Sequence, residues 1–333
     1  MRAKAHSGDV PEIEGGTRLH EELTPIEATP SPIEIVTGVY LHARRKALGQ
    51  TLTDVARQVG GSASAISRWE RAVVPIQATA LTALLRYYEA DSDEIRYLVN
   101  HLPKARCASS HTTLLEHRAA GADDPNNFAR RGLWDNWSDV ADEGAARYVA
   151  VNRVASEALH YTMKRIPPGY RTPEYRSVIT DPDVCPTPDE PVADMPLWLA
   201  RVRRPSGQRR TLLLDETVLR KPVGGPGVMA RQLRHLLRLM DRTTTAGPVT
   251  IRVLPEDRQI SFTSNYHEVA ELTIHGHRLF AAVDFFAWYE TRSGAAQTLH
   301  RSLHQTFEQA PGHQDSYDLI KKAADYWAKG AGS

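Results

Sequence analysis

The stretch Leu41–Tyr88, LHARRKALGQTLTDVARQVGGSASAISRWERAVVPIQATALTALLRYY, decides how this chain is read. Thr51-Leu52-Thr53-Asp54 opens a short helix. A threonine at the N-cap accepts a backbone N–H and the acid three residues on replies, a capping-box pattern. Val55 and Val59 supply one apolar face, with Ala56 as the small residue where two helices cross. Gly60-Gly61 ends the helix, because glycine tolerates left-handed backbone. Ser62 caps a second helix with Ile66 and Trp69 on its buried side and Ala63, Ser64, Ser67 and Arg68 on the other. Two short helices across a tight turn, with a helix on either flank, make a helix-turn-helix. Short side chains let such a helix approach a major groove, and Arg donates two hydrogen bonds to guanine O6 and N7.

Arg45, Thr51, Ala56 and Gly60, followed by Ile-Ser-Arg-Trp-Glu at Ile66–Glu70, carry a resemblance. The segment resembles a lambda-repressor-like (XRE/Cro-type) DNA-binding domain. That resemblance implies an all-α fold and an ion pair between Arg45 and Glu70. Leu52 departs from the pattern, which often has a phosphate-holding Gln there. On this reading the helix at 62–70 enters the major groove. Ser64, Ser67 and Arg68 read base edges, Ala63 allows close approach, and Thr51, Thr53, Arg45 and Arg71 position the duplex backbone.

At 333 residues the chain has room for about two domains. A 41% hydrophobic share supports real cores, and a net charge of +1 excludes polyelectrolyte character for the whole. Charge is unevenly spread. Arg44, Arg45, Lys46, Arg57, Arg68 and Arg71 lie in the helix-turn-helix, opposed by Asp54 and Glu70. A local basic face on a near-neutral chain fits a DNA-binding module joined to a neutral partner domain. Cys107 and Cys185 stand far apart and form no C-x-x-C, which argues against a thiolate zinc site. Arg2 and Lys4 precede no apolar run, as a secretion signal requires, and no stretch is apolar enough to span a bilayer. The expectation is a cytoplasmic, reduced protein with no membrane partner.

Domain organisation is read as follows. Residues 1–32, rich in Glu, Gly, Pro and Thr, form a disordered acidic arm. Residues 33–102 are the helix-turn-helix domain, 103–132 a linker, and 133–330 an α/β ligand- or partner-binding and dimerisation domain. In the last unit Trp134, Trp137, Val140, Ala141 and Ala145 mark a helix, and Tyr148–Ile166 is open between helix and strand. Trp198–Arg204 is a short basic helix, Arg210–Val218 a strand, Val228–Met240 a strongly amphipathic helix, and Val249–Leu254 a strand. His267–Ile274 and Leu279–Trp288 form a hairpin, and helices at Ala295–Phe307 and Tyr317–Trp327 close the chain. The fold class is multidomain: an all-α lambda-repressor-like domain, then a mixed α/β (α+β) domain. Pro-Gly-Tyr-Arg-Thr-Pro-Glu-Tyr at Pro168–Tyr175, the run Leu214–Gly225, Met229–Leu233 and Val253–Pro255 carry a second resemblance. They resemble the antitoxin-like domain that follows XRE-type units in many actinomycete regulators.

Other constellations are weaker. Asp215 and Glu216 end a strand, where adjacent side chains face opposite ways, so they do not make a paired acid and base. Gly224-Gly225-x-Gly227 opens a helix without the spacing of a nucleotide-binding loop. His275 and His277, two apart on a hairpin, are weak metal candidates. Phe280, Phe285, Phe286, Trp288 and Tyr289 read as core, or as a dimer surface if turned outward. No catalytic residue and no cofactor is assigned. The expected function is a sequence-specific DNA-binding transcriptional regulator, acting on double-stranded DNA as a homodimer and controlled through its C-terminal domain by a small partner protein or a small-molecule effector. The alternatives are an enzyme or metabolite-binding protein with a vestigial helix-turn-helix, and an antitoxin-like partner of a small protein.

Overall fold

The computed structural model describes residues 30–103, 136–179, 196–241, 248–258, 267–284, 286–291 and 294–331. The acidic arm as far as residue 29, nearly all of the expected linker, Trp134, Phe285 and both cysteines lie outside the described residues.

Among the described residues the N-terminal half is five helices: α1 (Pro32–Ala47), α2 (Leu52–Val59), α3 (Ala63–Glu70), α4 (Ala78–Tyr87) and α5 (Ser92–His101). Helix α1 starts at Pro32, a favoured first position, and the Glu34 carboxylate accepts from the Ser31 N–H at 2.8 Å. Ile35, Val39, Tyr40 and Ala43 are buried, but so are Val36, Thr37, Gly38 and Leu41. The helix is therefore covered all round rather than along one stripe. Gly38 marks the closest crossing: a Cβ there would stand 2.6 Å from the Glu70 carbonyl oxygen and 2.8 Å from that of Trp69. Only glycine lets α1 lie so near the end of α3.

The C-terminal half is built on one seven-stranded sheet. Its strands are β1 (Asn136–Asp139), β2 (Glu157–Thr162), β3 (Arg209–Asp215), β4 (Val249–Leu254), β5 (Glu268–Ile274), β6 (His277–Val283) and β7 (Ala287–Glu290). They stand in the order β1-β7-β6-β5-β2-β3-β4. The β2, β3 and β4 strands are parallel and the other pairings antiparallel. Its helices are α6 (Gly144–Val154), α7 (Pro173–Ile179), α8 (Thr217–Arg220), α9 (Pro226–Met240), α10 (Gly294–Gln309) and α11 (His313–Gly330).

Strand alternation divides the apolar residues between two faces. Ala158, Ala270, Leu272, Leu279 and Ala281 point to one face and share a core with α6 and the N-terminal helices. On the same face Leu212, Leu214, Ile251 and Val253 are covered by α9 and α11. On the opposite face Tyr161, Leu213, Val269 and Ala282 pack under α10 through Leu299, Leu303 and Phe307. The result is an all-α unit joined to a three-layer α/β unit by a continuous core.

Three expectations need correction. Trp137, Val140 and Ala141 do not mark a helix: residues 136–139 are the edge strand β1, and the helix begins at Gly144. Trp137 stacks on Tyr289 of β7 at 5.6 Å between ring centroids, a partner some 150 residues on that local spacing does not reveal. The expected strand Leu279–Trp288 is two strands, β6 and β7, antiparallel to each other across a bend at Asp284. The basic helix expected at Trp198–Arg204 shrinks to a 3-10 turn at Leu199–Arg201.

Candidate nucleic-acid interface

Both helices of the helix-turn-helix are capped by local chemistry. The Thr51 hydroxyl donates to Asp54 Oδ2 at 2.6 Å and accepts from the Asp54 N–H at 3.2 Å. The hydroxyl bond and, after it, a bond from the Thr51 N–H to Oδ2 at 3.0 Å hold the Asp54 carboxyl below its usual range. Gly60 closes α2 in left-handed backbone at φ +71°. Ser62 then accepts the Ala65 N–H at 3.1 Å and starts α3.

Behind α3 lies a buried ion pair. Arg45 Nε reaches Glu70 Oε1 at 2.5 Å and Nη2 reaches Oε2 at 2.7 Å, a bidentate fork. His42 Nδ1 sits 2.9 Å from the same carboxylate, and Arg45 Nη1 donates to the Gln50 carbonyl at 3.0 Å. Burial works to raise the Glu70 carboxyl, but the bonds from Arg45 and His42 together outweigh it and hold it below its usual range. Arg45 is thus committed to fixing α1 against α3 and is not available to position a duplex.

The other side of α3 is open. Ser64 and Arg68 are exposed, and Ala63 and Ser67 partly so, while Ile66 and Glu70 are buried. Among the described residues Arg68 makes no ion pair. Thr51, Thr53 and Arg71 are exposed, though the Thr51 hydroxyl is occupied by its cap and Arg71 Nε donates to the Ser67 carbonyl at 3.3 Å. The basic face is smaller than composition implies. Arg44 turns inward to the Tyr40 hydroxyl and Glu143, Arg45 is buried, and Lys46, Arg57, Arg68 and Arg71 remain outside.

The helix-turn-helix is fastened to the sheet domain from behind. Arg147 of α6 is fully buried and grips Asp139 through Nε at 2.7 Å and Nη2 at 2.5 Å. It also pairs with Glu94 of α5 and lies over the Tyr40 ring at 5.3 Å. Tyr40 donates to Glu143, and the Trp198 indole N–H reaches that carboxylate at 3.2 Å. Burial opposes charge at the centre of this cluster, lowering Arg147 to about 10 and raising the Asp139 carboxyl well above its usual range.

A second contact comes from the β5–β6 hairpin. His277 Nε2 lies 3.1 Å from the Arg71 carbonyl oxygen, at the end of α3. His275 occupies the turn itself at φ +51°, beside Gly276 at +82°, a two-residue hairpin with both angles positive. Because His275 is a turn residue and not a strand residue, the shared-face argument for a His275–His277 metal pair does not hold. Burial and the positive neighbours His42, His277 and Arg71 keep His275 below its usual range.

The marked segments of the C-terminal half are used in its framework. Gln232 of α9, fully buried, donates to the Tyr170 carbonyl at 2.8 Å and accepts the Thr172 N–H at 2.7 Å. Arg171 Nε donates to the Ile166 carbonyl at 2.6 Å, and the Tyr175 hydroxyl accepts the Ile166 N–H at 3.3 Å. So Pro168–Tyr175 and Met229–Leu233 lock together. Asp215 accepts the Thr217 N–H at 3.0 Å where α8 begins, and Glu216 pairs with Arg220, which also holds Glu256 at 2.9 Å. The site missed from sequence is a cluster of Glu271, His300 and His304; its signal was the four-residue histidine spacing in a closing helix.

No helix among the described residues is long and apolar enough to cross a membrane. Comparison with curated proteins and with solved structures gives no match. A helix-turn-helix domain family matches residues 37–98, which points to double-stranded DNA as a partner and to a regulatory role. The family described as a domain of unknown function, DUF5753, matches residues 145–322, more than half the chain. The chain accordingly belongs to the DUF5753 family and carries a helix-turn-helix domain ahead of it.

Proposed function

We propose that this protein is a sequence-specific transcriptional regulator of XRE type whose helix at 62–70 lies in the major groove. One observation carries the reading: α3 presents Ser64 and Arg68 to solvent while Ile66 and the Arg45–Glu70 fork hold its back. Arg68, Ser67 and Ser64 read base edges, Ala63 permits approach, and Thr53 and Arg71 meet phosphates. Thr51 is a weaker phosphate contact because its hydroxyl serves the cap. Residues 33–102 act as the DNA-binding unit and 133–330 as the controlling and dimerising unit.

Control by the C-terminal half is supported by the Arg147 cluster and by the His277 contact to the Arg71 carbonyl. An effector or small partner that shifts the hairpin would be felt at the end of the reading helix. A homodimer on two half-sites supplies the affinity that one short helix lacks.

Selection of bound duplexes from a random library by the full chain tests the reading. The expected product is a two-fold operator whose half-sites lie about 10 base pairs apart or a multiple of that. Arg68→Ala should weaken operator binding by about 1–3 kcal/mol and relax one base position. Recovery of no consensus, or a salt slope near zero on any duplex, would overturn it.

A further inference from the structure

Glu271 lies on β5, on the sheet face covered by α10, and α10 carries His300 and His304. Residues four apart on a helix share one face, so both rings turn toward the same strand. His300 Nδ1 and His304 Nε2 each lie 3.0 Å from Glu271 Oε2, and the three ligand atoms fall within 4.8 Å of one another. The rings sit 4.3 Å apart between centroids. Ligand atoms around a tetrahedral zinc, at bonds of about 2.0–2.1 Å, stand roughly 3.3 Å apart. The side chains are therefore already gathered at close to metal-binding separations.

The surroundings fit an ion. Arg278 Nε holds the other oxygen, Glu271 Oε1, at 3.2 Å, so the carboxylate is oriented from behind while Oε2 faces the imidazoles. Phe280 meets the His300 ring edge-on at 6.3 Å and limits its rotation. Side-chain exposure rises from 12% at Glu271 to 31% at His300 and 48% at His304, which leaves a route from solvent. Most of the contact between α10 and the sheet is apolar, through Leu299, Leu303 and Phe307, so the Glu271–His300–His304 group stands out within it.

We infer that Glu271, His300 and His304 form a binding site for a single divalent transition-metal ion of the zinc class. Two imidazole nitrogens and one carboxylate oxygen suit Zn2+ and its neighbours, whereas Ca2+ and Mg2+ demand more oxygen ligands. The ion would tie α10 to β5, the strand that leads into the hairpin touching the end of α3. It is distinct from the His275–His277 pair.

Titration of the metal-free full chain with Zn2+ by calorimetry tests this. One equivalent should bind, with Mg2+ and Ca2+ failing to compete. The double variant His300→Ala/His304→Ala should lose affinity by more than the roughly 100-fold that changes around the ligands cost. His275→Ala/His277→Ala should bind as the parent does. X-ray absorption of the zinc-loaded parent should show two imidazoles at about 2.0–2.1 Å. That measurement decides the matter even if the double variant does not fold. Failure to bind one equivalent, unchanged affinity in the folded double variant, or a zinc shell without two imidazoles would overturn the assignment.

Discussion

At the scale of single residues, Glu70 ties α3 to α1. Its carboxyl is held below the usual glutamate range because Arg45 and His42 overcome the effect of burial. A folded value below the unfolded one means that the contribution to stability is complete above the ordinary glutamate range of about 4.3 and is lost as pH falls through the folded value. Thermal midpoints of the full chain should therefore drop on acidification below about pH 4, and Glu70→Gln should flatten that dependence. Glu70→Ala strands the Arg45 guanidinium in a dry site and should cost about 3–5 kcal/mol in urea unfolding. A loss under 1 kcal/mol would show that water reaches the pair.

At the scale of elements, two contacts set the packing. Gly38→Ala would gain helix propensity of about 1 kcal/mol but places a methyl 2.6 Å from a carbonyl oxygen of α3. The clash involves backbone, which cannot swing aside, so the expected balance is a loss of about 1–3 kcal/mol with weakened DNA binding. Gln232→Leu should cost about 2–4 kcal/mol, since it leaves the buried Tyr170 carbonyl and Thr172 N–H without their partner. What could be read from the sequence follows the same division. The Thr51–Asp54 box, the Gly60 stop and the Ser62 cap act over three or four residues, so the helix-turn-helix is legible locally. Strand β1 is not, because Asn136–Asp139 acquires its pairing from residues 287–290. Arg44 reads as a basic surface residue for the same reason: its partner Glu143 is 99 positions away. The histidines at 300 and 304 were readable as a helical pair, but Glu271 joins them only once α10 lies across β5.

At the scale of the molecule, the Arg147 cluster decides whether the halves act singly or together. Arg147→Met removes the cation facing Asp139 and Glu94 and leaves two acids in a site closed to solvent. The expected cost is about 3–5 kcal/mol, with calorimetry resolving two transitions where the parent shows one. A single transition at a lower temperature would mean that the shared apolar core alone keeps the halves cooperative.

Helix α1 serves two masters: Tyr40 packs edge-on against Trp198 at 5.0 Å, and its hydroxyl answers to Glu143. A fragment cut at the end of α5 would carry that aromatic flank into water with Glu94 bereft of its guanidinium. Such a truncation should aggregate or unfold at a lower temperature than the full chain, which light scattering during a thermal scan would read. Grafting this head onto a foreign regulatory body would fail unless α6 travelled with it.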